Sequence, residues 1–216
     1  MDARGALAGS TAKVAAPLIA IDGPAGSGKS TVSRAVAQRL GLDRLDTGAM
    51  YRCVAWAVME EGVDPKDTVG VAKVARSSRI EVGHRVCMNG TDVTRAIRTP
   101  EVSAVVSVVA ANPDVRRRLV VLQRAWADAR EGGVVEGRDT GSVVFPHADL
   151  KVFLTATLSE RSRRRGTEEP ADILALRDRL DSTRAISPLR QAAGAHLLDT
   201  TGRDVDAVVD EILSWL

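Results

Sequence analysis

Residues 23–30, Gly23-Pro24-Ala25-Gly26-Ser27-Gly28-Lys29-Ser30, satisfy the spacing G-x-x-x-x-G-K-[ST] at every fixed position. The apolar run Leu18-Ile19-Ala20-Ile21 stands just before them and predicts a buried strand. Just after them, Val32, Ala35, Val36 and Leu40 recur on one face of a predicted helix that Gly41 stops. A strand, a glycine-rich turn and a helix in that order make a phosphate cradle. The glycines let successive backbone N–H groups turn toward phosphate oxygens, and the helix N-terminus adds its positive dipole end. Lys29 supplies a point charge for β- and γ-phosphates, and Ser30 supplies a hydroxyl for Mg²⁺. The stretch from Gly23 to Thr31 thus predicts binding of a nucleoside triphosphate such as ATP, and leaves open what becomes of the phosphate.

Outward from this loop the chain alternates strand and helix. Apolar runs at Gly133-Val134-Val135, Leu150–Leu154 and His196-Leu197-Leu198 read as buried strands. From about Asp204 a last helix places Val205, Val208, Val209, Ile212 and Leu216 on one stripe. Buried strands separated by helices predict an α/β fold, a parallel sheet covered on both faces. Two regions interrupt the rhythm. Between about Lys66 and Val93 a helix is followed by short strands at Ile80–Val82, Arg85–Met88 and Thr91–Val93, with Asn89-Gly90 as a hairpin signal. The polar run Arg163–Ala171, with Gly166 and Pro170, suits a mobile flap.

Composition bounds the function classes. The 216 residues are 44% hydrophobic and 27% charged, which is globular and excludes global disorder. The formal net charge of +2 argues against a coat for nucleic acid or anionic membrane. Only six aromatic residues are present, too few for a base-stacking platform on single strands. The basic residues are 25 Arg and 5 Lys, a bias that fits a GC-rich coding sequence as well as a phosphate site. Cys53 and Cys87 form no framework and no C-x-x-C, and the three histidines are scattered, so neither disulfides nor a zinc site is expected. Residues 1–16 carry no signal-peptide pattern and read as a flexible leader to a cytoplasmic protein, with 17–216 as one core.

Three Arg/Asp constellations suggest where the transferred phosphate goes, and each has an ordinary structural reading beside it. In Leu45-Asp46-Thr47-Gly48-Ala49-Met50-Tyr51-Arg52, Thr47 near a helix start and Arg52 about a turn later suit a phosphate, or equally a cap and a surface arginine. Glu136-Gly137-Arg138-Asp139-Thr140-Gly141 follows a predicted strand, where open α/β sheets bind ligands, or makes a solvated turn. Arg177, Asp181 and Arg184 share one helical face beside an apolar face of Ile173, Leu176 and Leu180; the plain alternative is an ion-pair ladder on the surface. Arg116-Arg117-Arg118 opens a helix begun by Asn112-Pro113 and reads as mostly solvated. A second anion clamped opposite the cradle, under an Arg-rich flap that excludes water, is what phosphoryl transfer requires.

At these residues the chain resembles bacterial cytidylate kinases. "IDGPAGSGKST", "LDTGAMYR", "IRTPEVS", "EGRDTGSVVFPHADLKVFL" and "DSTRAISPL" carry the likeness, which runs from about Pro17 to the C-terminus. The resemblance implies a P-loop three-layer sandwich with a five-stranded parallel sheet, a monophosphate-binding insert at about 47–112 and a short lid at about 161–176. It implies phosphorylation of CMP or dCMP by ATP with Mg²⁺, by a monomer that uses neither nucleic acid nor membrane. Thr47, Arg52, Arg138 and Arg184 would hold the CMP phosphate, with Arg177 reaching phosphate and Asp181 the ribose. Ser107, Arg116 and Asp139 would read cytosine, with Tyr51 packed nearby and Arg98 in the same pocket. Arg161 and Arg165 would cover ATP, and Lys29, Arg138, Arg184 and Arg165 would be catalytic. The flap between Arg165 and Arg177 is several residues shorter than the family pattern, and the leader has no counterpart in it. Alternatives are a kinase of UMP, AMP or shikimate, or, in another class, an ATP-gated RNA-binding module.

Overall fold

The computed structural model describes residues 16–166, 171–184 and 186–216, without the side chains of Ala171, Ile173 and Arg177. The leader, the middle of the flap and the side-chain role expected of Arg177 therefore lie outside the described residues. Five strands, β1 (Leu18–Asp22), β2 (Arg44–Asp46), β6 (Gly133–Gly137), β7 (Leu150–Thr155) and β8 (His196–Asp199), form one sheet in the order β2-β6-β1-β7-β8. Every pairing in it is parallel. Asp22 stands opposite Gly137 and Phe153, Asp46 opposite Glu136, and Thr155 opposite Asp199, so all five carboxyl ends finish on one edge. That edge is where an open α/β sheet presents its ligands.

Side-chain alternation along the central strands builds two cores. Ile19, Ile21, Val134, Val152 and Leu154 face α1 (Lys29–Leu40) and α8 (Val205–Leu213) through Val32, Val36, Val208, Val209 and Ile212. Ala20, Leu45 and Val135 face the other way, onto α2 (Thr47–Glu60), α4 (Pro100–Ala111) and α5 (Pro113–Asp128). The last helix ends sooner than its stripe predicts: α8 stops at Leu213, and Leu216 lies beyond it, half exposed. Asn112 caps α5 through its side chain with Pro113 in the first turn, as the sequence suggests.

The insert is α3 (Thr68–Ser77) followed by an antiparallel sheet of β3 (Ile80–Val82), β4 (Val86–Met88) and β5 (Thr91–Asp92). Asn89 and Gly90 turn β4 into β5 with φ of 50° and 83°, the left-handed pair that tight hairpins favour. The flap region begins as α6 (Leu158–Arg165), so Arg163, Arg164 and Arg165 are helical, and α7 (Ala171–Ser182) follows. Among the described residues no helix is long and apolar enough to cross a membrane.

Candidate active site

The phosphate-loop side is built by β1, the loop after it and α1. Gly28 caps α1 in the left-handed conformation with no side-chain cap, and the first turn holds no acidic residue. Those leading amides are left to an anion. Gly26 has φ +76°, and a Cβ there would come within 2.9 Å of Cβ and the carbonyl oxygen of Arg161, so only glycine fits. Lys29 is buried, and its Nζ donates to the Pro24 carbonyl at 2.6 Å. Burial, then the nearby Arg138 charge, holds its pKa well below the usual lysine value, with Arg165 adding to the push. Ser30 donates to Glu136 Oε2 at 2.8 Å, and Arg44 pairs with the other oxygen of that carboxylate. Glu136 is buried, which raises its pKa against the pull of Arg44, Lys29 and Ser30. Asp22, at the end of β1, accepts from Thr140 N and Oγ1 and from Gly141 N at 2.7–2.8 Å; burial raises its pKa nonetheless.

The α6 arginines divide the wall of this loop among them. Arg161 is buried and donates to the carbonyls of Ala156 and Ala25, each at 3.1 Å, and pairs with Asp178 of α7. Arg164 donates to Thr200 Oγ1 at 2.9 Å and to its carbonyl at 2.6 Å, while the Thr200 hydroxyl reaches the Ser27 carbonyl at 3.1 Å. Arg161 thus lies within the wall, Arg165 close enough to Lys29 to act on its charge, and Thr31 exposed in the first turn of α1.

The arginine-rich side starts one strand over. Asp46 caps α2, and the Thr47 hydroxyl donates to the Glu136 carbonyl at 2.7 Å across to β6. Arg52 donates to Ile97 O at 3.1 Å and Ser103 Oγ at 2.9 Å, and Arg98, more than half exposed, pairs with Asp46 at 3.3 Å. Arg138 Nε meets Asp181 at 2.8 Å, and Arg184 pairs with the same carboxylate. Burial opposes the Arg138 charge, but Asp181 more than offsets it and holds the pKa above the ordinary value. For Arg184 burial prevails and the pKa is lowered.

On this side the plain structural alternatives do not hold. The residues 181 and 184 are no surface ladder: Asp181 is 2% exposed. Leu176 and Leu180 are exposed, while Leu174 is fully buried, so among its described side chains the inward stripe of α7 is Leu174, Asp178 and Asp181. Their spacing of four and three is helical, but two of the three are acids, and an apolar search passes over them. Arg116 is likewise not solvated. It is 4% exposed, pairs with the buried Asp139, and sits 5.5 Å from the Tyr51 ring centroid. Burial raises the Asp139 pKa, against Arg116 and a hydrogen bond from Ser187. Burial also pushes the Tyr51 phenol up to about 12. Ser107 lies buried on α4.

The structure therefore gathers Lys29, Ser30, Thr47, Arg138, Asp139, Asp181 and Arg184 along the carboxyl edge of the sheet, with Arg116 and Tyr51 beside Asp139. Sequence reading missed Asp178, Arg164, Ser187 and Gln123, which is 1% exposed on α5. Two hollows lie elsewhere, of about 360 Å³ beside Asn112 and about 490 Å³ beside Lys151 and Arg190, and neither includes a residue of the phosphate loop.

Comparison with known proteins supplies the family. Residues 19–216 match the family described as cytidylate kinase. The chain is 50% identical over 215 residues to a bifunctional pantoate ligase/cytidylate kinase of Synechococcus sp. (strain CC9902), covering 91% of this chain and 44% of that protein. It is 49% identical over 212 residues to a cytidylate kinase of Desulfitobacterium hafniense (strain Y51), covering 91% and 90%. The chain thus spans less than half the length of the bifunctional relatives it matches. Among solved structures, an uncharacterized protein from Eubacterium ventriosum ATCC 27560 superposes with a TM-score of 0.53 at 13% identity over 93% of this chain and 98% of that one, a likeness of fold alone. With a phosphate loop in place and a family match across nearly all of the described chain, this chain belongs to the cytidylate kinase family.

Proposed function

We propose that this chain transfers the γ-phosphoryl group of ATP directly to CMP or dCMP, giving ADP and CDP or dCDP. The observation that carries the reading is the end of β6. There Glu136 meets Ser30 of the donor loop, Arg138 meets Asp181, and Asp139 meets Arg116, all within four consecutive residues. The donor triphosphate lies along Gly23–Thr31 with Lys29 on its terminal phosphates. Thr47, Arg52, Arg138, Arg184 and Arg177 take the CMP phosphate, and Asp181 takes the ribose. Arg116 and Asp139, side by side, offer the donor and acceptor that a cytosine edge requires, with Ser107, Tyr51 and Arg98 around it. The acceptor phosphate is already a nucleophile, so no side chain has to serve as general base. Lys29, Arg138, Arg184 and Arg165 neutralise charge that spreads over the transferred group. The segment 161–176 acts as the lid and 47–112 as the monophosphate-binding insert, in a protein that works as a monomer in the cytoplasm.

The residues present suit Mg²⁺ carried by the nucleotide. Ser30 and Glu136 place a hydroxyl and a carboxylate 2.8 Å apart at the loop, hard oxygen donors of the kind this ion takes. Among the described residues no group of three or more His, Cys, Asp or Glu could hold the ion unaided. When bound, Mg²⁺ would be held beside Ser30 by the nucleotide and would neutralise phosphate charge during transfer.

A panel of CMP, dCMP, UMP, AMP and shikimate with ATP, read as ADP release, tests the reading. CMP and dCMP should be turned over fastest, and Arg116→Ala or Asp139→Ala should lower the CMP/UMP preference. Faster turnover of AMP or shikimate would overturn the substrate, and an unchanged ratio would overturn the base pocket. Strongly salt-dependent RNA retention without acceptor-stimulated turnover would point to the RNA-binding alternative.

A further inference from the structure

Asp139 is followed at once by a turn that proteins rarely use. The chain makes one π-helical turn, Thr140–Val144, in which the Phe145 amide donates to the Thr140 carbonyl at 2.7 Å. The Asp139 carbonyl opens it, accepting from Val143 N at 2.9 Å and Val144 N at 3.2 Å. So short a turn leaves its leading amides and closing carbonyls without partners of their own. Side chains from two other elements supply them. At the start, Asp22 of β1 accepts from the amides of Thr140 and Gly141. At the end, Arg124 of α5 donates through Nε to the Val144 carbonyl at 3.0 Å and through Nη2 to the Val143 carbonyl at 3.2 Å. Arg124 is exposed, yet among the described residues its guanidinium goes to these two carbonyls and to no acid. The same helix carries Arg116, which pairs with the Asp139 carboxylate. α5 therefore grips Asp139 twice, at its side chain and through the turn that its backbone opens.

We infer that Arg124 is a specificity-determining positioning residue: by holding the closing carbonyls of the Thr140–Val144 turn it fixes the backbone of Asp139, and with it the angle at which the Asp139 carboxylate meets Arg116 and the base. Without the guanidinium the turn keeps its Asp22 end and its internal hydrogen bonds, so it loosens but does not unfold. The carboxylate then loses its set direction while the Arg116 partner stays in place. The inference rests on the base-pocket reading proposed above and adds to it a residue that touches neither nucleotide.

The test compares Arg124→Met and Arg124→Lys with Asp139→Asn, with the double variant of Arg124→Met and Asp139→Asn, and with Arg130→Met. Because Arg124 is exposed, Arg124→Met should fold, with a melting temperature about 2–4 °C lower. It should raise the KM for CMP and lower the CMP/UMP ratio of kcat/KM, each by about three- to tenfold, the scale of one lost hydrogen bond. The kcat at saturating CMP and the KM for ATP should stay within about twofold. Arg124→Lys keeps a donor for one carbonyl and should fall between Arg124→Met and the parent. In the double variant the ratio should drop less than about twofold below that of Asp139→Asn, because the side chain being positioned has already changed. Arg130 lies just past α5, pairs with Asp43 and covers Trp126, so Arg130→Met measures general loosening and should leave the ratio unmoved. Should Asp139→Asn leave the ratio unchanged, the base-pocket reading itself fails. If Asp139→Asn lowers the ratio while Arg124→Met lowers only the melting temperature, acts no differently from Arg130→Met, or adds in full to Asp139→Asn, Arg124 is a packing residue and the inference is overturned.

Discussion

Lys29 shows how a single side chain can be placed against its own preference. It is buried beside Arg138 with its ammonium on the Pro24 carbonyl, and its pKa is depressed, first by burial. Between that lowered value and 10.5 the unfolded chain binds more protons at this site than the folded one. Stability of the ligand-free protein therefore rises with pH across that window. A triphosphate in the loop reverses the balance by favouring the charged form. Lys29→Met should thus stabilise the ligand-free protein by about 1 kcal/mol, or about 2–4 °C in Tm. Turnover should fall by about 10²–10³-fold while CMP binding persists. A variant as active as the parent, followed by ADP release, would remove Lys29 from the mechanism. At this scale the sequence is most informative where chemistry fixes spacing, as from Gly23 to Ser30. It is least so for buried carboxylates such as Asp22 and Glu136, because an acid at a strand end looks the same whether it is solvated or enclosed by amides and arginines.

Among the elements, α7 departs furthest from its sequence pattern. A period search expects apolar residues inward, yet Asp178 and Asp181 face in beside Leu174, while Leu176 and Leu180 face out. The helix is oriented by two arginines opposite it: Asp178 pairs with Arg161 in the phosphate-loop wall, and Asp181 pairs with Arg138 at the end of β6 as well as with Arg184 just past its own helix. Asp181→Ala leaves two largely buried guanidiniums short of a carboxylate. It should cost about 3 kcal/mol, or about 6–12 °C in Tm, and raise the KM for CMP. Asp178→Ala should instead raise the KM for ATP by severalfold, since Arg161 loses the partner that holds it against Ala25, and leave the KM for CMP near that of the parent. Thermal unfolding and the two KM values separate these outcomes, and a reversed pattern would mean that α7 does not divide its acids between the two substrates. The small antiparallel sheet, by contrast, was legible because Asn89-Gly90 specifies its turn locally.

For the molecule as a whole, the near-neutral sum of +2 conceals a cleft where arginines gather against acids, Arg116 on Asp139 and both Arg138 and Arg184 on Asp181. Four strands of the parallel sheet were readable as apolar runs, while β2, Arg44-Leu45-Asp46, carries none; strand order was not readable at all, since pairing depends on contacts far apart in sequence: β2 lies next to β6 across some ninety residues. That distant pairing has a mechanical consequence. The phosphate-loop side and the arginine side share one datum, the last residues of β6, so under the proposed function the distance between the two phosphates would be a gauge length set by a few peptide units. Gly137 is where the gauge is read, because a Cβ there would lie 2.6 Å from Thr47 Oγ1 and 2.7 Å from Thr140 Cγ2. Gly137→Ala should therefore behave as a miscalibration: each nucleotide binds nearly as before, while kcat falls by about 10²-fold, as expected of a misplacement near 1 Å. Isothermal titration of each nucleotide beside single-turnover transfer would distinguish that outcome from a simple loss of affinity.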